Sequence, residues 1–329
     1  MPTSPPSRVA IVGAGMAGAV AARMLADAGL SVEVFEKSRG LGGRMATRSA
    51  NFASFDTGAQ YFTVRDEAFR RGVEDWVSEG VAARWDGPFV ELSLGRTVKG
   101  DSGPPRYVGV PAMTAPAKHL LEGLNVRRET CVANARSDAR GIVLSDDAGR
   151  ELGRFDLAIL AIPPGQAAEL LGPTNGIAGE IRGVEMEPCW SVMLGLAGPL
   201  PAEWSGAFVN GSPVRWLARN HTKPGRDAAR ETLVIHAEGE WSREHFEDSA
   251  EAVIDALAAE AWRQIGIEPQ TIIHRDARRW KYSNGSAEFA ERFVADDARR
   301  IIACGDWAAG ARVEGAFLSG LAAARAVLA

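Results

Sequence analysis

Near its beginning the chain changes hydrophobic rhythm twice. Residues 1–7 (MPTSPPS) are polar and Pro-rich and read as a frayed leader. Residues 8–12 (RVAIV) form an apolar run of strand length, residues 13–18 turn the chain on glycines, and an Ala-rich stretch ending near Gly29 carries helical spacing. Residues 31–35 (SVEVF) alternate as a second strand, so the opening predicts strand–helix–strand, the unit from which parallel sheets are built. Farther on, the pattern predicts a helix over 113–124, strands near 127–135 and 141–145, and an apolar strand over 155–162 closed by Pro163 and Pro164. Burial on both faces of a parallel sheet is the simplest account of that last run.

The texture changes across residues 166–285, which contain Trp190, Trp204, Trp216, Trp241, Trp262 and Trp280. Strand-like segments at 191–197 and 232–237 are followed by a predicted helix over 249–265, the pattern of an antiparallel sheet with helices and a place to handle substrate. A short apolar strand over 300–303 and helical spacing over 313–328 then bring the chain back to the first region. The expected class is α/β (α+β overall). It divides into a discontinuous Rossmann-type domain, residues 1–65, 106–165 and 286–329, and a mixed antiparallel-sheet substrate domain, residues 66–105 and 166–285.

Composition narrows the function classes. With 37 basic and 42 acidic residues the formal charge is -5, which gives no general attraction to nucleic acid or an anionic membrane. No run is long and apolar enough to span a bilayer. The apolar stretch 9–30 is interrupted by Arg23, Asp27 and glycines, unlike a secretory signal, and the three cysteines form no CxxC pair, so a reducing, cytoplasmic setting is expected. The five histidines form neither HxH nor HExxH, so no metal site is expected. No GxSxG element occurs and no cysteine sits beside a histidine, which sets nucleophilic hydrolysis aside. Oligomeric state is left open.

Between the first strand and its helix lies Gly13-Ala14-Gly15-Met16-Ala17-Gly18, and Glu36 closes the second strand. Gly13 permits the tight turn, Gly15 lets a pyrophosphate approach the backbone at the helix N-terminus, and Gly18 lets helix and strand touch. Glu36 would accept hydrogen bonds from adenosine ribose hydroxyls, and its charge disfavours a 2′-phosphate there. From Lys37 a basic, Gly-rich loop (residues 37–48, KSRGLGGRMATR) suits a dinucleotide that extends past its first ribose, with Arg44 on phosphate or ribityl oxygens. Toward the other end, Cys304-Gly305-Asp306-Trp307 leads through Arg312-Val313-Glu314 into the last helix. Asp306 suits ribityl hydroxyls, and a helix N-terminus at the pyrimidine end of an isoalloxazine ring would favour reduced flavin. The two ends together favour FAD over NAD. No second GxGxxG occurs, so a nicotinamide substrate would have to enter the flavin cavity.

The set GAGMAG with Glu36, GLGGRMATR, FDTGAQYFT (55–63), RRWKY (278–282) and CGDWAAGARVEGAFLSG (304–320) resembles the renalase family, above all its bacterial members, from Val9 to the end of the chain. That resemblance implies a p-hydroxybenzoate hydroxylase-like fold with non-covalent FAD. It also implies oxidation of the 2- and 6-dihydro isomers of NAD(P)H to NAD(P)+, with O2 becoming hydrogen peroxide. By the same likeness Met16, Glu36, Arg44, Gln60, Tyr61, Asp306 and Val313 fall on FAD-contacting positions, Val132 on the strand beside adenine, and Arg312 on a substrate position. Cys189 stands near substrate where the family has a hydroxyl residue, so Trp190 is the expected replacement contact, by stacking. Tyr61 is grouped with the substrate side as well, and Trp280 and Tyr282 are further aromatic candidates.

Hydride loss turns a dihydropyridine into an aromatic pyridinium, so this chemistry needs no catalytic base, and no catalytic side chain is expected. The expected partners are a dihydronicotinamide dinucleotide and O2. Two rivals share the motifs: a flavin amine oxidase, and a flavin-binding protein without catalysis.

Overall fold

The computed structural model describes residues 7–100, 103–173, 175–285, 287, 289–296 and 300–329; the expected leader, apart from Ser7, lies outside them. A six-stranded sheet runs in the order Phe293–Ala295, Ile301–Cys304, Leu157–Leu160, Arg8–Val12, Ser31–Phe35, Asn125–Arg127. Its neighbours are parallel except Phe293–Ala295, which is antiparallel to Ile301–Cys304. Val9 to Val12 and Leu157 to Leu160 are all buried, which is why these segments read as unbroken apolar runs. The helix Met16–Asp27 crosses the C-terminal helix Val313–Leu328 closely, since a Cβ on Gly320 would lie 2.2 Å from the Ala17 carbonyl oxygen.

A seven-stranded sheet takes the order Ile272–Asn284, Glu187–Leu196, Thr232–Ala237, Val214–Arg219, Gly206–Val209, Phe89–Ser93, Arg96–Gly100. All its pairings are antiparallel except Gly206–Val209 with Phe89–Ser93. One face packs Trp190, Val192, Leu194, Leu233 and Ile235 under the helix Ala250–Ile265, through Val253, Leu257 and Ala261. The other face contributes Met193, Val234, Trp216 and Ala218 to the core of the first sheet's layer. That second face overhangs the glycine-rich loops.

Three local expectations change. The apolar run 155–162 is broken at Asp156, whose carboxylate accepts from the backbone N–H groups of Ser7 and Arg8 at 2.8 and 2.9 Å. The run 127–135 splits between two sheets, as Asn125–Arg127 and Asn134–Asp138. The helix Glu67–Ser78, grouped from sequence with the substrate region, instead packs against the C-terminal helix, with Phe69 and Trp76 both meeting Phe317. Its apolar face, Phe69, Val73 and Trp76, recurs at helical spacing, and Phe69 and Trp76 also meet Phe62.

Candidate cofactor and substrate site

The glycine turn has the geometry a pyrophosphate requires. Gly13 sits at φ 102°, and a Cβ there would meet the Ala161 carbonyl oxygen at 2.5 Å; on Gly18 it would meet the Gly13 carbonyl oxygen at 2.0 Å. At Gly15, by contrast, the nearest atom to an added Cβ is Gly43 Cα at 4.0 Å, so the loop is open on that side. Helix Met16–Asp27 starts after Gly15 with no side-chain cap and no acid in its first turn. Its leading N–H groups are thus left for an anionic acceptor. The second glycine turn lies directly on the first, with Gly42 N–H donating to Ala14 O at 2.9 Å.

Glu36 is buried at the end of its strand, its two carboxylate oxygens accepting from the backbone N–H groups of Ala14 (3.0 Å) and Ser38 (2.8 Å). Each oxygen keeps a second lone pair for a ribose hydroxyl. Thr130 N–H donates to Glu36 O at 3.0 Å, which brings the segment carrying buried Val132 alongside. Lys37 reaches away, donating to Gln166 Oε1 at 3.3 Å.

Arg44 and Asp306, 262 residues apart, form a two-pronged pair, with Nη1 donating to Oδ2 at 2.8 Å and Nη2 to Oδ1. Arg44 Nη1 also donates to Ser283 O at 3.3 Å, tying the cofactor loop to the long edge strand of the seven-stranded sheet. Beyond Asp306, Arg312 occupies the N-cap position of the last helix with an exposed side chain, and Val313 is half-buried in its first turn. That helix N-terminus has no side-chain cap. Glu314 is buried and accepts from the N–H groups of Arg65 (2.6 Å) and Asp66 (2.8 Å).

Above these loops the sheet's side chains alternate. Cys189, Ser191 and Met193 share the overhanging face with their partners Trp280, Arg278 and Asp276, and Ser191 pairs across to His236, which pairs to Trp216. Trp190 therefore points the other way. It is buried with Val192 and Leu194 in the core under Ala250–Ile265, its indole N–H donating to His245 O at 2.9 Å. The stacking contact expected of Trp190 is thus not available from this position; the two-residue period assigns that face to Cys189. The Cys189 thiol is pushed up to about 12 by burial, so it is a neutral, inert group there.

Gln60 and Tyr61 follow the strand Ser54–Asp56 and meet this face. Gln60 Nε2 lies 2.6 Å from Asp56 O, 3.0 Å from Gly58 O and 3.3 Å from His236 Nε2, while Oε1 accepts from Lys223 Nζ at 3.0 Å. Tyr61 packs against Trp216, with ring centroids 5.4 Å apart, and against Trp85 at 6.4 Å. Trp280 is fixed by its indole N–H donating to Thr57 O at 2.8 Å, and Tyr282 reaches the start of the helix Pro164–Leu171, near Gly165.

Sequence reasoning missed the group that anchors this corner. Asp56 is fully buried, and its Oδ2 accepts from Lys223 Nζ (3.0 Å) and Arg226 Nη2 (2.7 Å), its Oδ1 from Thr47 Oγ1 (2.7 Å). Burial alone would raise the carboxyl, but the two cations outweigh it and hold Asp56 below the usual range. Burial pushes Lys223 down to about 8 against the pull of Asp56. His236 is pushed down to about 4 by burial and by Lys223, so it stands neutral beside Gln60. In the stretch His221–Arg226 (HTKPGR) nothing local in the sequence marks the lysine as buried.

A two-glycine-turn dinucleotide cradle beside a mixed seven-stranded sheet defines the class: a two-layer dinucleotide-binding protein. Comparison with known proteins agrees. The profile for an NAD(P)-binding Rossmann-like domain matches residues 11–76, and that for flavin containing amine oxidoreductases matches residues 94–328. The chain belongs to the flavin-containing amine oxidoreductase family, and its cofactor is FAD. Over 45 residues it is 53% identical to an L-amino-acid oxidase of Mus musculus, a match spanning 14% of this chain and only 7% of that protein. Solved structures with the same fold include putrescine oxidase bound to putrescine (TM-score 0.76, 17% identity, 98% of this chain and 99% of that one). Cyclohexylamine oxidase from Brevibacterium oxydans IH-35A is similar too (0.74, 16%, 98% and 99%), as is reduced UDP-galactopyranose mutase (0.76, 12%, 98% and 93%). No described helix is long and apolar enough to cross a membrane, and no group of potential metal ligands occurs among the described residues.

Proposed function

We propose that the protein is a renalase-type oxidase, in a p-hydroxybenzoate hydroxylase-like branch of the fold, that converts the 2- and 6-dihydro isomers of NAD(P)H into NAD(P)+. The residues named below would hold FAD non-covalently, and the bound flavin would supply a hydride acceptor whose two electrons, with two solvent protons, reduce O2 to hydrogen peroxide. The chain's own residues bind and orient. Gly13, Gly15, Met16, Ala17, Gly18 and Glu36 hold the adenosine and pyrophosphate with Lys37 and Val132 at their border; Arg44 and Asp306 meet the ribityl chain; Gln60, Tyr61 and Val313 border the ring. Arg312, Cys189 and Tyr61 line the substrate side. Because hydride loss leaves an aromatic cation and no carbon-bound proton to remove, neutral His236 has no base to supply.

The observation that carries this reading is the charge balance. Asp56 is closed by Lys223 and Arg226, and Asp306 by Arg44, so these carboxylates are not free to hold a substrate ammonium, while Arg312 is exposed at the start of the last helix. Such a field favours an anionic dinucleotide over a cationic amine. A second reading, oxidation of a neutral amine, is favoured by the ring cluster of Tyr61, Trp85 and Trp216 and by the family itself. Anaerobic mixing separates them: rapid flavin bleaching by the dihydro isomers and none by simple amines supports the first, and the reverse result overturns it. Arg312→Ala is expected to raise substrate KM while leaving flavin content unchanged; equal loss of flavin would move Arg312 to the cofactor.

A further inference from the structure

The edge strand Ile272–Asn284 carries a cation to which the site described above assigns no role. Arg278 lies on the overhanging face, opposite Ser191 in register, with its guanidinium carbon 4.1 Å from the centre of the Trp280 ring. Trp280 is itself pinned to Thr57 O, three residues before Gln60, so the platform is rigid relative to the flavin-facing loop. The neighbouring acid, Asp276, is taken by Arg48 at 2.8 Å. Among the described residues the Arg278 guanidinium therefore makes a ring contact but neither a hydrogen bond nor an ion pair. Partial burial and the like charge of Arg48 both lower its pKa. Beside it, the Ser191 hydroxyl is buried with no hydrogen-bond partner. A planar guanidinium with its donor edge free, held flat on an indole and flanked by a second arginine, is suited to two-pronged recognition of a phosphate.

We propose that Arg278, seated on Trp280 and flanked by Arg48, is an anion subsite on the sheet face that carries Ser191 and His236, and that it takes a phosphate of a nucleotide-type substrate. The assignment to substrate rests on the dihydronicotinamide reading; the subsite itself does not. The test uses flavin-loaded enzyme and its Arg278→Gln, Arg278→Lys and Arg279→Gln variants, with Arg279 on the opposite face as control. Substrates are a dihydronicotinamide dinucleotide and the same dihydropyridine ring on a phosphate-free N-alkyl group. Arg278→Gln is expected to raise KM for the dinucleotide about tenfold at unchanged kcat, with the phosphate-free ring unaffected and Arg278→Lys intermediate. Equal loss on both substrates, or equal loss in Arg279→Gln, would overturn the subsite. ADP titrated into the holoenzyme by calorimetry gives the independent arm. Binding that Arg278→Gln abolishes supports the subsite even if no dihydro isomer bleaches the flavin, in which case only the substrate reading fails; the absence of ADP binding to the parent enzyme, or binding unaltered by Arg278→Gln, rejects it.

Discussion

The two ends of the proposed cavity are built on opposite principles. At the glycine turns the working groups are backbone N–H and the contacts are local, set by residues whose chief property is lacking a Cβ. At the Gln60 corner the working groups are side chains 167 and 170 residues apart, Asp56 with Lys223 and Arg226, packed out of contact with solvent. The first design tolerates no added atom at Gly13 or Gly18, and the second no unbalanced charge. Damage to them should therefore be of different kinds, one to cofactor retention and the other to folding stability.

Gly18→Ala should have the largest effect. Its methyl would fall 2.0 Å from a backbone oxygen that cannot move aside, so the purified variant is expected to carry almost no flavin, read as the ratio of flavin to protein absorbance. Full flavin content would mean that the turn is more plastic than its packing indicates. Asp56→Ala should follow, leaving Lys223 and Arg226 buried without a counter-charge at a cost of about 3–5 kcal/mol in urea unfolding. The folded fraction should still bind flavin, and a stability loss below ~1 kcal/mol would show that water enters this corner. Arg44→Ala is expected to speed flavin release about tenfold, as a phosphate or ribityl contact is lost and Asp306 is left without its partner. Unchanged release would remove Arg44 from the cofactor contacts.

The smallest effect sharpens the contrast through pH. His236 titrates in the folded protein at about 4, below its ordinary 6.5. The unfolded chain binds the proton first, so the histidine's contribution is intact above 6.5 and is lost as pH falls through 4. Asp56, whose pKa is also lowered, adds its own loss only below the ordinary carboxylate range. His236→Gln should flatten the decline in urea midpoint between about pH 6.5 and 4.5, and an unchanged slope would assign that decline elsewhere.

Much of the first layer was legible from local pattern. Strands 8–12 and 31–35, the turn between them and the last helix follow from apolar runs, glycines and helical spacing, because each is decided by residues adjacent in the chain. The break at Asp156 was not, since its cause is the backbone of Ser7 and Arg8 on another strand. Trp190 shows the same limit inside one strand: a tryptophan beside Cys189 looks equally suited to either face, and only the register of Glu187–Leu196 turns it into the core.

By itself, then, the amino-acid order determined the dinucleotide turn and the acid that follows it, because a missing Cβ and a strand end are local facts. The tertiary structure alone decided that Arg44 meets Asp306, that Lys223 is buried against Asp56 and Gln60, and that Arg278 rather than Arg279 shares the sheet face of Ser191. Those outcomes depend on which distant segments supply counter-charge and which face a strand presents once it is paired, and neither is written in any short stretch of the chain.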